Sequence, residues 1–445
     1  MSGQVSSTQW GSKLGFILAS AGSAIGLGAI WKFPFWAGTN GGAAFIIPYI
    51  FFTFTIGVTL LIAELTIGRA GRGSALQALK SAGGPVFAIL GGLAVFSSYI
   101  ILSYYSVVGG WCVKYLFDAL SLDLVTSDPK LLTANFGALV SDGVTNTGWH
   151  LAFLTLTCGV VAAGVVGGIE RLSKYLMPTL FILMLFIILR SISLPGSWEG
   201  LVFLFKLDLS TLTWSSILNA MGFTFFSLSL GCGIMVTYGA YLNDKTDIPN
   251  SSLWISYLAI QTSILAGLMI MPAVFALGQD PNAGPGLVFV TIPLVFSQIP
   301  LGWAFAIMFY VCLLTAALTS SVSLLEVICA YLHNEWHMQR RKAVLLCYVT
   351  LFFLGAVSAL SFGPLSHITV GGKNLFDLLD YVCSNIMMPL GGLAIAVLAG
   401  WVAWPRCMAQ VNKIRQYPPF INAFIKFSLR ILAPILVLVV IATGI

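Results

Sequence analysis

Long apolar stretches, each ended by a short polar or charged one, recur from one end of the chain to the other. Eleven are long enough to read as spans, at approximately 13–37, 42–68, 86–120, 150–167, 173–191, 217–242, 250–277, 301–332, 341–362, 373–402 and 422–444. A helix needs about 20 apolar residues to cross a hydrocarbon core of about 30 Å. The pattern therefore predicts an all-α polytopic membrane protein with 11 transmembrane helices. One further apolar stretch, "LVFVTIPLVFSQIP" at 287–300, is too short to span. It reads as a hairpin of short helices outside the membrane that dips toward the protein.

Composition supports this reading. Of 445 residues, 58% are hydrophobic and 8% charged, against about 25% charged in soluble domains, and the mean hydropathy is +0.96. A net charge of +6 then speaks to orientation, and no nucleic-acid partner is expected. Cations concentrate in alternate loops: Arg69, Arg72 and Lys80; Arg171 and Lys174; Lys245; Arg340, Arg341 and Lys342; Arg406, Lys413 and Arg415. The intervening loop 121–149 is mostly acidic (Asp123, Asp128 and Asp142 against Lys130), and 278–300 carries only Asp280. By the positive-inside rule the N-terminus is cytoplasmic, and an odd span count puts the C-terminus outside. No cleavable signal peptide is expected, because the first apolar segment leads into more of the same without a small-residue cleavage site.

Two spans carry their own interruption. Span one contains "GSAIGLGAIWKFP" from Gly22 to Pro34, and span six contains "FFSLSLGCG" from Phe225 to Gly233. Each break ends in Gly-x-Gly, Gly26 to Gly28 and Gly231 to Gly233. Unwound backbone at membrane depth is tolerated only where protein or a water-filled cavity satisfies it. Freed carbonyls then offer hard ligands to a small cation, and half-helix N-termini offer positive dipole ends to an anionic group. Glycine-broken spans at corresponding positions of two halves point to a solute site at the midplane. Glu64, an acid inside span two, is a candidate functional group by location. The favoured role is structural, accepting hydrogen bonds from the unwound amides of span six.

Other motifs carry less. The eight cysteines (112, 158, 232, 312, 329, 347, 383 and 407) are scattered, with no C-x-x-C pair, so neither a metal site nor a disulfide framework is indicated. His333 and His337 in "HNEWH" have helical i,i+4 spacing but no third ligand nearby, and read as the end of a helix. A channel would need a continuous polar lining. An enzyme would need paired carboxylates, a nucleophile elbow or H-E-x-x-H, and none of these is visible.

The stretches "WGSKLGFILASAGSAIGLG…FP", "NGGAAFIIPY", "SLSLGCG", "LTSS" and "LFDLLDYV…MPLGGL" follow one another in order. In them the chain resembles the neurotransmitter:sodium symporter family over nearly its whole length, and its eleven spans resemble the bacterial members that lack a twelfth helix. The resemblance implies the LeuT fold, a 5+5 inverted repeat with broken helices 1 and 6. The repeats would occupy 1–191 and 192–402, with the last span in 403–445. It further implies a symporter rather than an enzyme, working by alternating access in a bacterial inner membrane on a small-molecule substrate.

The same resemblance assigns residues. A sodium ion would be held by the carbonyls of Gly22, Ile25 and Ala316 and by the side chains of Thr319 and Ser320. The family's other sodium site loses its two asparagines to Ala29 and Ala259, and only Ser227 keeps an oxygen there, so one sodium is expected. Tyr49 and Ser263 match the chloride site of the animal members, but Phe223 and Ala259 do not, and chloride is not expected. The substrate pocket would comprise Ser23, Ala24, Gly26, the Leu27 and Gly28 amides, Ile101, Tyr105, Phe226, Ser227, Ser229, Cys232, Ser320 and Leu324. Gly26 stands where monoamine transporters carry an aspartate, which disfavours a bare amine. Cys232 stands where related amino-acid transporters often carry a larger side chain.

Lys32 with Asp380 resembles the outer gate, with lysine in place of the usual arginine. The alternative is that Lys32 snorkels to the outer water. On the inner side Trp10 and Tyr241 would plug the path, while Ser7 and Asn334 replace the family's usual ion pair. Gly168 and Pro178 resemble a Gly-x9-Pro motif that lets span five unwind at its cytoplasmic end. The expected substrate is a bulky apolar or aromatic amino acid. A neutral, indole-like aromatic without a carboxylate, or a solute sensor that transports nothing, remains open.

Overall fold

The computed structural model describes residues 9–124, 128–208, 210–279 and 287–443. Along them run eighteen helical elements: α1 (Lys13–Ala24), α2 (Gly28–Thr39), α3 (Ala43–Gly71), α4 (Ala75–Gly83), α5 (Pro85–Leu120), α6 (Pro129–Ser141), α7 (Gly143–Ala162), α8 (Val165–Ile192) and α9 (Ser197–Phe205). Then follow α10 (Trp214–Ser227), α11 (Ile234–Ala240), α12 (Ile248–Ala276), α13 (Leu287–Ser297), α14 (Gly302–Trp336), α15 (Arg340–Leu360), α16 (Leu375–Val402), α17 (Trp404–Val411) and α18 (Pro419–Thr443). Many begin where the sequence supplies a cap. Ser12, Ser74, Asp142, Thr213 and Asp247 each accept a backbone N–H from the following turn, satisfying donors that a helix start leaves unpaired.

Among the described residues, eight helices are long and apolar enough to cross a membrane, or nine if the bent pair α1–α2 counts as one span. The eleven-span expectation is therefore not reproduced by length and composition alone. The difference lies in expected spans four and six. Span four corresponds to α7, which starts earlier than expected because Asp142 caps it. Span six corresponds to the interrupted pair α10 and α11, neither long enough by itself. The 287–300 stretch is a short apolar helix, α13, with Leu287, Val288, Phe289 and Ile292 buried, so it lies against the protein as expected.

Burial separates the centre from the rim. Two-thirds of the most apolar window (67%) is buried in α3, α12 and α14, against 33% in α8 and α18. The rim helices expose Leu189, Phe186, Ile435 and Leu438, the surface that a hydrocarbon solvent requires. At the centre, α5 packs along α14, α11 along α3, and α12 along α8. This packing surrounds both breaks with protein. The chain axis bends by 50° between α1 and α2. Between α10 and α11, Ser229, Gly231 and Gly233 adopt φ of 53°, 82° and 80°, a left-handed conformation that suits glycine and strains serine.

Candidate functional site

The break in span one faces α14. Thr319 Oγ1 donates to the Gly22 carbonyl at 2.9 Å and to the Ala316 carbonyl at 3.1 Å. Ser320 Oγ lies 3.3 Å from the Gly22 carbonyl and donates to the Ser23 carbonyl at 2.8 Å. Four of the five expected sodium ligands thus converge, and Ile25 lies buried at the break beside them. A Cβ at Gly22 would sit 3.1 Å from Thr319 Cβ and 3.2 Å from Met177 Sδ, so a side chain there would crowd the cluster. The donors are all neutral oxygens, a set that fits a monovalent hard cation: the hydroxyls can turn their hydrogens away and offer lone pairs.

Beside this cluster lies a cavity of about 80 Å³. Its walls include Ser23, Ala24, Gly26, Leu27, Gly28, Ile101, Tyr105, Phe226, Ser229, Cys232, Ser320 and Leu324. Ser227 is the exception among the expected residues and must be corrected. Its hydroxyl donates to the Thr224 carbonyl at 3.2 Å, and it is not among the residues that line the cavity. Trp31, Tyr104, Val108, Ile234, Phe376 and Met388 also line the cavity and were not anticipated. "LFDLLD" carried the signal for one of them, since Phe376 and the expected gate residue Asp380 share a helix face at i,i+4.

At two glycines in the wall a side chain would have to displace its neighbour. A Cβ on Gly26 would stand 2.3 Å from Ser320 Oγ and 3.0 Å from the Tyr105 hydroxyl, and one on Gly28 would stand 2.3 Å from the Phe226 ring. The Tyr105 hydroxyl accepts the Leu27 N–H at 3.0 Å. A carboxylate bound here must share or replace that bond. Glu64 Oε1 accepts the Gly231 N–H at 2.7 Å, the role anticipated for it.

Above the cavity, Lys32 Nζ lies 3.5 Å from Asp380 Oδ1 and 4.1 Å from the centroid of the Phe226 ring. Ser384 also donates to Asp380 Oδ1, at 3.1 Å. The two charged side chains are 26% and 34% exposed, so the pair is worth no more than about 1 kcal/mol. A weak pair suits a contact that must open.

Below the cavity, the Trp10 indole donates to the Tyr238 carbonyl at 3.1 Å, and the Trp10 N–H donates to the Tyr241 carbonyl at 3.2 Å. Ser7 lies outside the described residues. The Asn334 amide donates back to the Ala330 carbonyl at 2.9 Å. An ion pair on this side joins Glu326 to Arg340, at 2.6 Å, and the Tyr241 hydroxyl donates to the same carboxylate at 2.7 Å. Glu326 was missed, although the rule that singled out Glu64 applies equally to an acid within span eight. His333 Nδ1 lies 3.0 Å from the Met338 carbonyl and His337 caps the helix with φ of 52°, so the pair closes the end of α14. No metal-binding cluster of His, Cys, Asp or Glu occurs among the described residues.

A second group of hydroxyls lies where α3 meets α12. Tyr49 Oη is 3.3 Å from Ser263 Oγ, and Thr53 Oγ1 lies 3.5 Å from Thr224 Oγ1. Phe33, Phe45 and Phe223 pack around the Tyr49 ring at 5.1 to 6.3 Å. Ala29 and Ala259 are buried and supply no ligand.

Two interrupted helices that meet at a central pocket, with bare oxygens clustered beside it, define a secondary transporter. The sodium:neurotransmitter symporter profile matches residues 7–130 and 137–445, and the chain belongs to that family. An uncharacterized sodium-dependent transporter of Bacillus subtilis, YhdH, is 42% identical over 390 residues, covering 87% of this chain and 86% of its own. An uncharacterized sodium-dependent transporter of Haemophilus influenzae is 34% identical, covering 97% and 96%. The crystal structure of MhsT in complex with L-phenylalanine superposes with a TM-score of 0.91 at 39% identity, covering 98% of this chain and 100% of that one. The all-helical broken-helix fold expected from the sequence is thereby established. So is the class: a sodium-dependent, multi-pass membrane transporter, not an enzyme.

Proposed function

We propose that this transporter couples the entry of one sodium ion to the import of a bulky apolar or aromatic amino acid. One observation carries the reading: an apolar cavity shares Ser320 with a cluster of neutral oxygens, so solute and cation would be bound side by side. Trp31, Ile101, Val108, Phe226, Leu324 and Phe376 make the walls apolar. The likeness to a structure holding L-phenylalanine supports the same substrate class. Sodium would rest on Gly22, Ile25, Ala316, Thr319 and Ser320. Lys32 with Asp380 would close the outer path, and Trp10 with Tyr241 the inner one. The repeats divide at 1–191 and 192–402, the N-terminus faces the cytoplasm, and the C-terminus faces outward. Chloride has no role, because the Tyr49 knot offers it hydroxyls but no amide in place of Phe223.

A second reading replaces the amino acid by a neutral, indole-like aromatic. Two observations favour it: the Leu27 amide is already bonded to Tyr105, and the buried Ala29 and Ala259 carry no side-chain oxygen. An unpaired carboxylate in a dry pocket is costly. Sodium-driven uptake into proteoliposomes separates the readings. The first requires L-phenylalanine or L-tryptophan to be taken up and to compete far better than indole, glycine or alanine. Preferred uptake of glycine or alanine contradicts both. Cys232 lies in the cavity wall with its Sγ 3.1 Å from the Ser229 carbonyl. Cys232→Phe should weaken aromatic substrates by about tenfold or more while sparing small ones, the discrimination a filled subsite gives. Equal loss for large and small ligands would remove Cys232 from the size-selecting wall.

A further inference from the structure

The last span carries a charge within its apolar run. Arg430 of α18 reaches across to α16, where its Nε donates to the Gly400 carbonyl at 2.6 Å. That carbonyl is available for a reason the sequence supplies. The turn Leu398–Val402 is wound as a π-helix, which pairs each carbonyl with the N–H five residues on. Five residues after Gly400 stands Pro405, which has no N–H to give. Gly400 also lets the two helices touch, since a Cβ there would stand 3.1 Å from the Leu429 backbone.

The guanidinium carbon of Arg430 lies 5.1 Å from the centroid of the Trp401 ring and 5.7 Å from that of Trp404. Two aromatic faces and one carbonyl therefore hold the side chain in place. They leave the N–H groups on Nη1 and Nη2 without a protein acceptor among the described residues. Among those residues no carboxylate pairs with Arg430, nor with the exposed Lys426 about one turn earlier on α18. A charge within a span calls for a partner. Around this one, Trp401, Val402, Phe427 and Ile431 are exposed, so the cation stands at the boundary between protein and lipid. Its depth follows from its neighbours. Trp401 and Trp404 come just before the cation-rich stretch of Arg406, Lys413 and Arg415, and tryptophans so placed mark the headgroup level of a bilayer.

We propose that Arg430, framed by Trp401 and Trp404, is a binding site for the phosphate of an anionic phospholipid in the leaflet beside that stretch. The planar fork of Nη1 and Nη2 matches two phosphate oxygens, a geometry that lysine does not reproduce. Lys426 adds positive charge on the same side of α18 and favours a lipid of net negative charge over a zwitterionic one. The acyl chains run along Val402, Phe427 and Ile431. A lipid held this way ties α16 to α18 where both are π-wound, at Leu398–Val402 and Ser428–Leu432, a winding common at functional sites.

Native mass spectrometry of the full-length protein, released from detergent with graded phosphatidylglycerol or phosphatidylcholine, tests this. One phosphatidylglycerol per chain should be retained about fivefold or more tightly than phosphatidylcholine, the scale of a basic residue meeting an anionic lipid. Arg430→Gln should weaken phosphatidylglycerol by about tenfold or more, the scale of a charge-assisted contact, while the melting temperature in detergent alone reports the fold. Arg430→Lys keeps the charge and a donor for the Gly400 carbonyl, and decides if the glutamine variant fails to fold. It too should lose most of the tightening, because the fork is gone. Phosphatidylglycerol retention unchanged in the folded variant, or equal retention of the two lipids by the parent, overturns the site. Inorganic phosphate that displaces phosphatidylglycerol at equal concentration would make this an ion site. Lipid-free dimers that dissociate in the variants would assign the surface to a second copy. Either result contradicts a lipid headgroup.

Discussion

Replacing Thr319 and Ser320 together by alanine is expected to abolish sodium-dependent stabilisation and sodium-driven uptake. The two hydroxyls are the only side-chain oxygens in the cluster, and both reach the Gly22 carbonyl, at 2.9 and 3.3 Å. Each interaction of a hydroxyl with a charge is worth about 2 kcal/mol, so losing both weakens the cation roughly a thousandfold. Thr319→Ser keeps the oxygen and should stay within about tenfold of the parent. The two helices pack against each other along other contacts as well, so the protein should still fold, which the melting temperature without sodium reports. Sodium dependence that survives the double change would place the ion elsewhere.

The second large effect separates two glycines that look alike in sequence. Gly231→Ala should abolish folded, active protein. Its φ is 82°, and a Cβ there would stand 2.1 Å from the Met388 carbonyl, a backbone atom that cannot turn aside. The same residue gives its N–H to Glu64, so moving it would also leave a carboxylate unpaired at membrane depth. Gly28→Ala meets only the Phe226 ring, at 2.3 Å. The ring can swing outward, so folding should survive while closure over the substrate fails. The expected pattern is no recoverable transporter for Gly231→Ala, against folded protein with substrate affinity reduced by about tenfold or more for Gly28→Ala. Size-exclusion behaviour and binding of radiolabelled L-phenylalanine distinguish them. Normal uptake by Gly231→Ala would show that the break between α10 and α11 tolerates other backbone paths.

These features differ in how far the sequence reveals them. The two breaks are legible because Gly-x-Gly weakens a helix just where the apolar run around it would have the helix continue. Thr319 and Ser320 are legible only through the resemblance that "LTSS" carries, since hydroxyls on an apolar span otherwise read as helix packing. Glu64 is legible as an acid at membrane depth, and Glu326 was equally so. Ser227 was carried over by resemblance, which fixes a position in the motif but not which side chains at the break line the cavity, and it is absent from the lining. The π-helical turns add one residue to a local period and leave no trace in hydropathy. Counting spans suffers similarly, since α10 and α11 are each too short to register alone.

The measurement that bears most directly on a single-sodium symporter is the sodium dependence of L-phenylalanine uptake into proteoliposomes at saturating substrate. One ion held by Gly22, Ile25, Ala316, Thr319 and Ser320 cannot be cooperative with itself. Uptake should therefore require a sodium gradient and rise with a Hill coefficient near one. A coefficient clearly approaching two, or uptake that proceeds without sodium, would contradict it.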